Sequence, residues 1–186
     1  MTAVIVGLAL LAAAQAAPTI RSGAITPADL ALIVSAIPRT AIDRFAVLPP
    51  SVREAFTQIN CQVPQPTTGA TANVVAGEFA ANGQRDWAAL CSDGTLTQIR
   101  IVWGGPAQCD DRLAATQDAD TLVSAAPGVY SYNRTIATAS AGQIERLLVK
   151  YRTTLPEEPQ HDAIGDSIDR VGVVRYCAGG QWLSVP

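Results

Sequence analysis

Val74-Val75-Ala76-Gly77-Glu78-Phe79 is followed by Asp86-Trp87-Ala88-Ala89-Leu90-Cys91 and, across Asp93-Gly94, by the run Leu96-Thr97-Gln98-Ile99-Arg100-Ile101-Val102-Trp103. The last run alternates. Ile99, Ile101 and Trp103 fall on one face, with Gln98, Arg100 and Val102 on the other, which is the period of a strand with one buried side. Asp93-Gly94 reads as a tight hairpin turn, because glycine tolerates the positive φ that such turns need. Gly104-Gly105-Pro106 ends the run. Three consecutive strand-like segments, two of them joined by a hairpin, place an antiparallel sheet at the centre of the chain.

Upstream of this sheet the period changes. Thr26-Pro27-Ala28-Asp29 opens a helix: Thr26 can cap, Pro27 stands where its missing N–H costs nothing, and Asp29 meets free amides. Leu30, Ile33, Val34 and Ile37 line one face until Pro38 stops it. A second helix follows Pro49-Pro50 over Ser51 to Ile59, with Val52, Phe56 and Ile59 on one side. Pro64 to Asn73 is a polar connector.

Downstream, Gln108 to Asp120 is polar and reads as irregular. Tyr130 to Ala139 reads as one strand. Ile144 to Tyr151 fits helix or strand, and Leu147, Val149 and Tyr151 favour a strand. Pro156 to Gln160 is a turn and His161 to Arg170 an acidic segment. Val171 to Tyr176 and Gln181 to Val185 form a terminal hairpin across Ala178-Gly179-Gly180. Two helices followed by some six strands predict an α+β fold, with the N-terminal helices packed on a mainly antiparallel sheet.

The first sixteen residues carry a different message. Val4 to Ala14 is uncharged and apolar, too short to span a bilayer, and ends in Ala14-Gln15-Ala16, the small-residue pattern of a signal-peptide cleavage site. Residues 1–16 are therefore expected to be a signal peptide and 17–186 a single α+β domain, periplasmic or secreted, with no integral membrane span after processing. About 170 residues suffice for one core. The formal net charge is −3, and the twelve arginines and single lysine, Lys150, are scattered, which argues against a nucleic-acid partner.

The four cysteines, Cys61, Cys91, Cys109 and Cys177, suit an oxidising compartment. None has metal-type CxxC spacing, so no zinc site is expected. Of the three possible pairings, Cys61–Cys91 with Cys109–Cys177 is preferred. The first closes a short interval, and the second staples the late hairpin to the middle of the chain.

Gly77 to Ala88 resembles the acidic loops of FG-GAP and VCBS-type propeller repeats, in which alternate acidic residues bind calcium between two strands. Glu78, Asn82 and Asp86 hold ligand-like positions, while Ala80 removes a carboxylate between the first two. Calcium takes six to eight oxygens, so the resemblance implies a strand–loop–strand that keeps the turn at Asn82-Gly83 without the ion. A wider likeness is to uncharacterised exported bacterial proteins with a Cys-x-Ile/Val-Pro-Gln segment, here Cys61 to Gln65, ahead of a Gly-x-Phe…Asp-Trp-Ala-x-Leu-Cys segment, here Gly77 to Cys91. That likeness favours the Cys61–Cys91 pairing and implies no chemistry.

His161 is the only histidine. Asp162, Asp166 and Asp169 follow it, and Glu157 and Glu158 precede it. His161 with Asp162 and Asp166 is the candidate centre of a metal-assisted hydrolase, although the chain has no HExxH, no GxSxG elbow and no Walker loop. Trp87, Trp103 and Trp182 and the tyrosines Tyr130, Tyr132, Tyr151 and Tyr176 lie in or beside strands. They read chiefly as core, with Trp103 and Trp182 as candidates for a carbohydrate or protein contact on a free sheet face. Asn133-Arg134-Thr135 matches a glycosylation sequon. No cofactor is called for, and the expected function is a non-enzymatic structural or binding one.

Overall fold

The structure is a computed structural model that describes residues 25–67 and 70–186. The expected signal peptide and cleavage site lie outside the described residues. In chain order the elements are α1 (Pro27–Ser35), β1 (Arg39–Ala41), α2 (Pro50–Gln58), β2 (Gln62–Pro64), β3 (Val74–Gly77), β4 (Asp86–Ser92), β5 (Leu96–Val102) and β6 (Arg112–Gln117). Then come β7 (Leu122–Ala126), β8 (Val129–Tyr132), β9 (Arg134–Ala139), α3 (Ala141–Tyr151), β10 (Ala163–Ile168), β11 (Val171–Ala178) and β12 (Gln181–Val185). The fold is α+β, every strand pairing is antiparallel, and two disulfides close it.

The strands form two main sheets. The first runs β1-β2-β4-β5-β6, with β3 sharing the β2 edge of β4; the second runs β12-β11-β10-β9; β7 and β8 make a separate hairpin. Strand β4 is buried along its whole length because both of its faces are covered. Trp87, Ala89 and Cys91 meet Val52 and Phe56 of α2. Ala88 and Leu90 point the other way and, with Ile99 and Ile101 of β5, pack on Ile136 and Ile164 of the second sheet. On the far face of that sheet Ala139, Ala163, Val174 and Val185 meet Ile144, Leu147 and Leu148 of α3. The layers are therefore helix, sheet, sheet, helix, each sheet contributing alternate residues to two interfaces.

This replaces the expectation of two N-terminal helices on one sheet. α2 covers the outer face of the first sheet, whereas Val34 of α1 and Ile37 beyond it join the cluster between the sheets. The start of α1 is as the sequence predicts: Thr26 N–H donates to Asp29 Oδ2 at 3.0 Å, and Asp29 N–H to Thr26 Oγ1 at 3.2 Å. The Thr26 hydroxyl, which donates to Asp29 Oδ2 at 2.6 Å, and the Thr26 N–H hold the Asp29 carboxyl below its ordinary value.

Three other expectations are corrected. Ile144 to Tyr151 belongs to helix α3, not to a strand: Ile144, Leu147 and Leu148 follow the helical i, i+3, i+4 spacing, while Val149 stays 79% exposed. Tyr130 to Ala139 is two strands divided at Asn133, and they lie in different sheets. The polar stretch Gln108 to Asp120 contains β6, an edge strand with no fully buried side chain, and its sequence shows no clear alternation of hydrophobicity.

Between the sheets lies a chain of buried polar groups. Arg134, fully buried, donates to Asp166 through Nε (2.9 Å) and a terminal nitrogen (3.0 Å), and to the carbonyls of Thr97 (3.0 Å) and Ala114 (2.6 Å). Asp118, also buried, accepts from Arg39 at 2.8 Å, from Ser92 Oγ at 2.7 Å, and from Thr97 Oγ1. Asn73 bridges the two sheets: its Nδ2 donates to the Pro64 and Arg134 carbonyls at 2.8 and 3.2 Å, and its Oδ1 accepts from Ile136 N–H. Side chains fully hydrogen-bonded in this way fix the register of one sheet on the other.

The Tyr132 hydroxyl, in the same interior, has no hydrogen-bond partner. Burial pushes its ionisation well above the ordinary tyrosine value of about 10. The uncharged phenol is therefore favoured in the folded state. Its contribution is complete below the unfolded value and is lost as pH climbs above about 10. Relative to Tyr132→Phe, the wild-type protein should lose stability progressively from about pH 10 upward, with a constant difference between the two below pH 9. Urea midpoints measured across that range check this; a difference that does not change with pH would sink it.

Candidate functional site

The loop from Gly77 to Asp86 is built on its own hydrogen bonds. Asn82 and Gly83 occupy the middle of a turn closed by Gln84 N–H to Ala81 O at 3.1 Å, with Gly83 at φ +81°, as the sequence predicts. The Asp86 carboxylate is fully buried and accepts from Ala80 N–H (2.9 Å), Gln84 Nε2 (2.8 Å) and Gly104 N–H (2.9 Å). Gly104 approaches so closely that a Cβ there would stand 1.9 Å from the Arg85 carbonyl oxygen, so only glycine fits. Glu78 accepts from Gly83 N–H at 2.8 Å, and Asn82 is exposed at the tip.

The Glu78 and Asp86 carboxylates, read as calcium ligands, thus face N–H donors, which hold the loop as a cation would. Removing the carboxylate in Asp86→Ala leaves two backbone amides without an acceptor and should cost about 3 kcal/mol. Calcium at 1 mM should leave the wild-type melting temperature unchanged. A site with a Kd of 10 μM would add about 2.7 kcal/mol under those conditions, so a clear upward shift would contradict this.

His161 stands beside this loop. Its ring stacks on Tyr176 with centroids 4.5 Å apart, and its Nδ1 lies 2.9 Å from the Asp162 carbonyl oxygen. A carbonyl only accepts, so Nδ1 carries the proton and Nε2 of the neutral ring is the free acceptor. Asp162 is clamped to the loop from both ends: its N–H donates to the Glu78 carbonyl at 3.1 Å, and its Oδ2 accepts from Glu78 N–H at 3.1 Å. Tyr176 is nearly buried, and its hydroxyl accepts from Gln160 N–H at 3.1 Å. A groove of about 260 Å³ opens here, lined by Asn82, Gln108, Glu157, Gln160 and His161 together with Ala81, Cys177 and Gly179.

Asp166 and Asp169, also read with His161, lie elsewhere. Asp166 is paired with Arg134 in the interior, and Asp169 accepts from Asn133 at 3.3 Å. Part of the segment read as acidic, His161 to Arg170, is strand β10. Its turn into β11 is Asp169-Arg170, both at positive φ, 45° and 69°. Among the described residues no three His, Cys, Asp or Glu side chains come together as metal ligands.

Trp103 and Trp182 stack on each other at 6.1 Å, half-buried against the cluster between the sheets, and Trp182 Nε1 donates to the Asp110 carbonyl at 2.9 Å. Trp87 belongs to the core under α2. The indoles thus pack against the sandwich and pin the loop that carries Cys109. Gln108 and Gln160 were not singled out by the sequence, and nothing local could have done so. They reach the groove through the Cys109–Cys177 disulfide and the Tyr176 hydroxyl, two long-range contacts.

Comparison of the chain with protein families, curated proteins and solved structures finds no match.

Proposed function

We propose that the chain is an exported, periplasmic or secreted, non-catalytic binding protein. Its two disulfides leave no free cysteine among the described residues, which suits an oxidising compartment. No helix among those residues is long and apolar enough to cross a membrane. The likeness to exported bacterial proteins noted above supports the same compartment.

The observation that carries the reading is the setting of His161. The imidazole is held in one orientation by Tyr176 and the Asp162 carbonyl, at the mouth of a groove. The carboxylates that could act with it in metal-assisted hydrolysis hold Arg134 and a Glu78 amide instead. A fixed imidazole whose two candidate carboxylates, Asp162 and Asp166, are engaged elsewhere is suited to holding a ligand rather than to turning one over.

Two measurements test this. Mass spectrometry of the exported fraction should find a chain beginning near Ala17 with both disulfides formed; an intact Met1 terminus with four free thiols contradicts export. Zinc and manganese titrated calorimetrically into the oxidised protein should show no saturable binding. Stoichiometric binding that disappears in His161→Ala would favour the hydrolase.

A further inference from the structure

We infer that the groove beside His161 is the binding site for a neutral, polyhydroxylated ligand about the size of one sugar ring, an inference that rests on the binding reading above. The size argument comes first. The groove holds about 260 Å³, just under the roughly 300–1,000 Å³ of sites for drug-sized ligands. That volume suits a ligand of about one ring.

The lining decides the chemistry. Asn82 and Gln108 present carboxamides, each able both to donate and to accept. Gln160 adds an acceptor, its Nε2 reaching the Glu158 carbonyl at 3.4 Å, and the His161 Nε2 and Glu157 carboxylate add acceptors only. No arginine or lysine lines the groove, so an anion finds no countercharge. One carboxylate and one imidazole fall short of the ligand set that a divalent cation takes. Adjacent hydroxyl groups, each a donor and an acceptor, match this mixture of amides and acceptors. The small side chains of Ala81 and Ala178 leave room for the C–H face of a ring.

The segments that bear these groups are tied together before any ligand arrives. The Asp162–Glu78 pair of hydrogen bonds joins the loop bearing Asn82 to the segment bearing His161. The Cys109–Cys177 bond carries Gln108 to the same place. Backbone already held in place costs less ordering entropy on binding.

The test is an NMR titration of the oxidised, isotopically labelled protein with glucose, galactose and N-acetylglucosamine, with glycerol and zinc as separate arms. At least one sugar should shift the His161 ring and the Asn82 and Gln108 side-chain amides together, saturating in the millimolar range. Gln108→Ala, in an exposed loop, and His161→Phe, which keeps an aromatic ring on Tyr176 but removes Nε2, should each weaken that binding about tenfold, a loss of about 1.4 kcal/mol. Failure of all three sugars to shift these resonances, or wild-type affinity in either variant, overturns the inference. If no sugar binds and zinc also leaves the resonances unmoved, the ligand class is wrong and the non-catalytic reading stands. Saturable zinc binding at His161 overturns both.

Discussion

Arg134→Met should destabilise the protein by about 4 kcal/mol, among the largest effects of any single substitution in the chain. The guanidinium is fully buried and serves three acceptors at once, the Asp166 carboxylate and the Thr97 and Ala114 carbonyls. Methionine fills most of the volume but leaves a carboxylate and two carbonyls in a low-dielectric interior without donors. Removing one member of a buried pair exposes the full desolvation penalty of the other. Asp166→Leu alone should cost somewhat less, because Arg134 keeps its carbonyl partners. The double variant Arg134→Met/Asp166→Leu should be more stable than Arg134→Met, since no unpaired charge remains. Urea denaturation of the four proteins gives the cycle. Strict additivity would mean that the pair does not act as a unit, and the account of sheet registration given above would fall with it.

Opening the Cys109–Cys177 disulfide should cost a comparable amount. In the loop-entropy model a bridge across 68 residues is worth about 4.4 kcal/mol, and one across 30 residues about 3.6 kcal/mol. Typical domains have only about 5–15 kcal/mol in all. Cys109→Ala/Cys177→Ala should therefore lower stability more than Cys61→Ala/Cys91→Ala on entropy alone. The second pair lies in the core under α2 and loses packing as well, so the two double variants should fall within about 1 kcal/mol of each other. Hydrogen exchange separates them. Loss of the late bridge should deprotect the segment around Asp110 and the β11–β12 hairpin, with the first sheet unchanged. Deprotection that begins in β4 instead would show that the late bridge acts on the whole domain.

Much of the first sheet was legible because its strands obey local rules. β5 alternates, β4 and β5 join at Asp93-Gly94, and the Asp93 carboxylate accepts from Thr95 and Leu96 N–H in that turn. Those amides also keep its carboxyl below the ordinary value. Thr26 and Asp29 announced α1 by the same local logic, and Gly179-Gly180 announced the last hairpin.

The second sheet was less legible, for identifiable reasons. β10 carries Gly165, Asp166 and Ser167, and its one inward charge reads as loop until Arg134 is known to face it. The Asp169-Arg170 turn uses positive φ without glycine. In α3, Leu147, Val149 and Tyr151 mimic a strand. The signal that decides for helix is the pairing of Ser140 N–H with Gln143 Oε1 at 2.7 Å, visible beforehand as Ser-x-x-Gln. As for the groove, His161 was legible as the only histidine. Its partners Tyr176 and Gln108 lie 15 and 53 positions away, and no local pattern joins them.

The two disulfides divide differently along the length of the chain, and this sets an order of events during synthesis. A chain emerging N-terminus first presents Cys61, then Cys91, then Cys109, and only much later Cys177. For the whole interval in which Cys177 is still enclosed, Cys109 is an unpaired thiol eighteen positions from Cys91. Attack by that thiol on the first bridge would trap a non-native crosslink. The bridge's cysteines are 1% and 7% exposed, and the layer of buried residues packed around them, Ile42 to Ala89, has all emerged by Ser92. Early closure of that layer thus protects the first bond from the third cysteine until the fourth arrives.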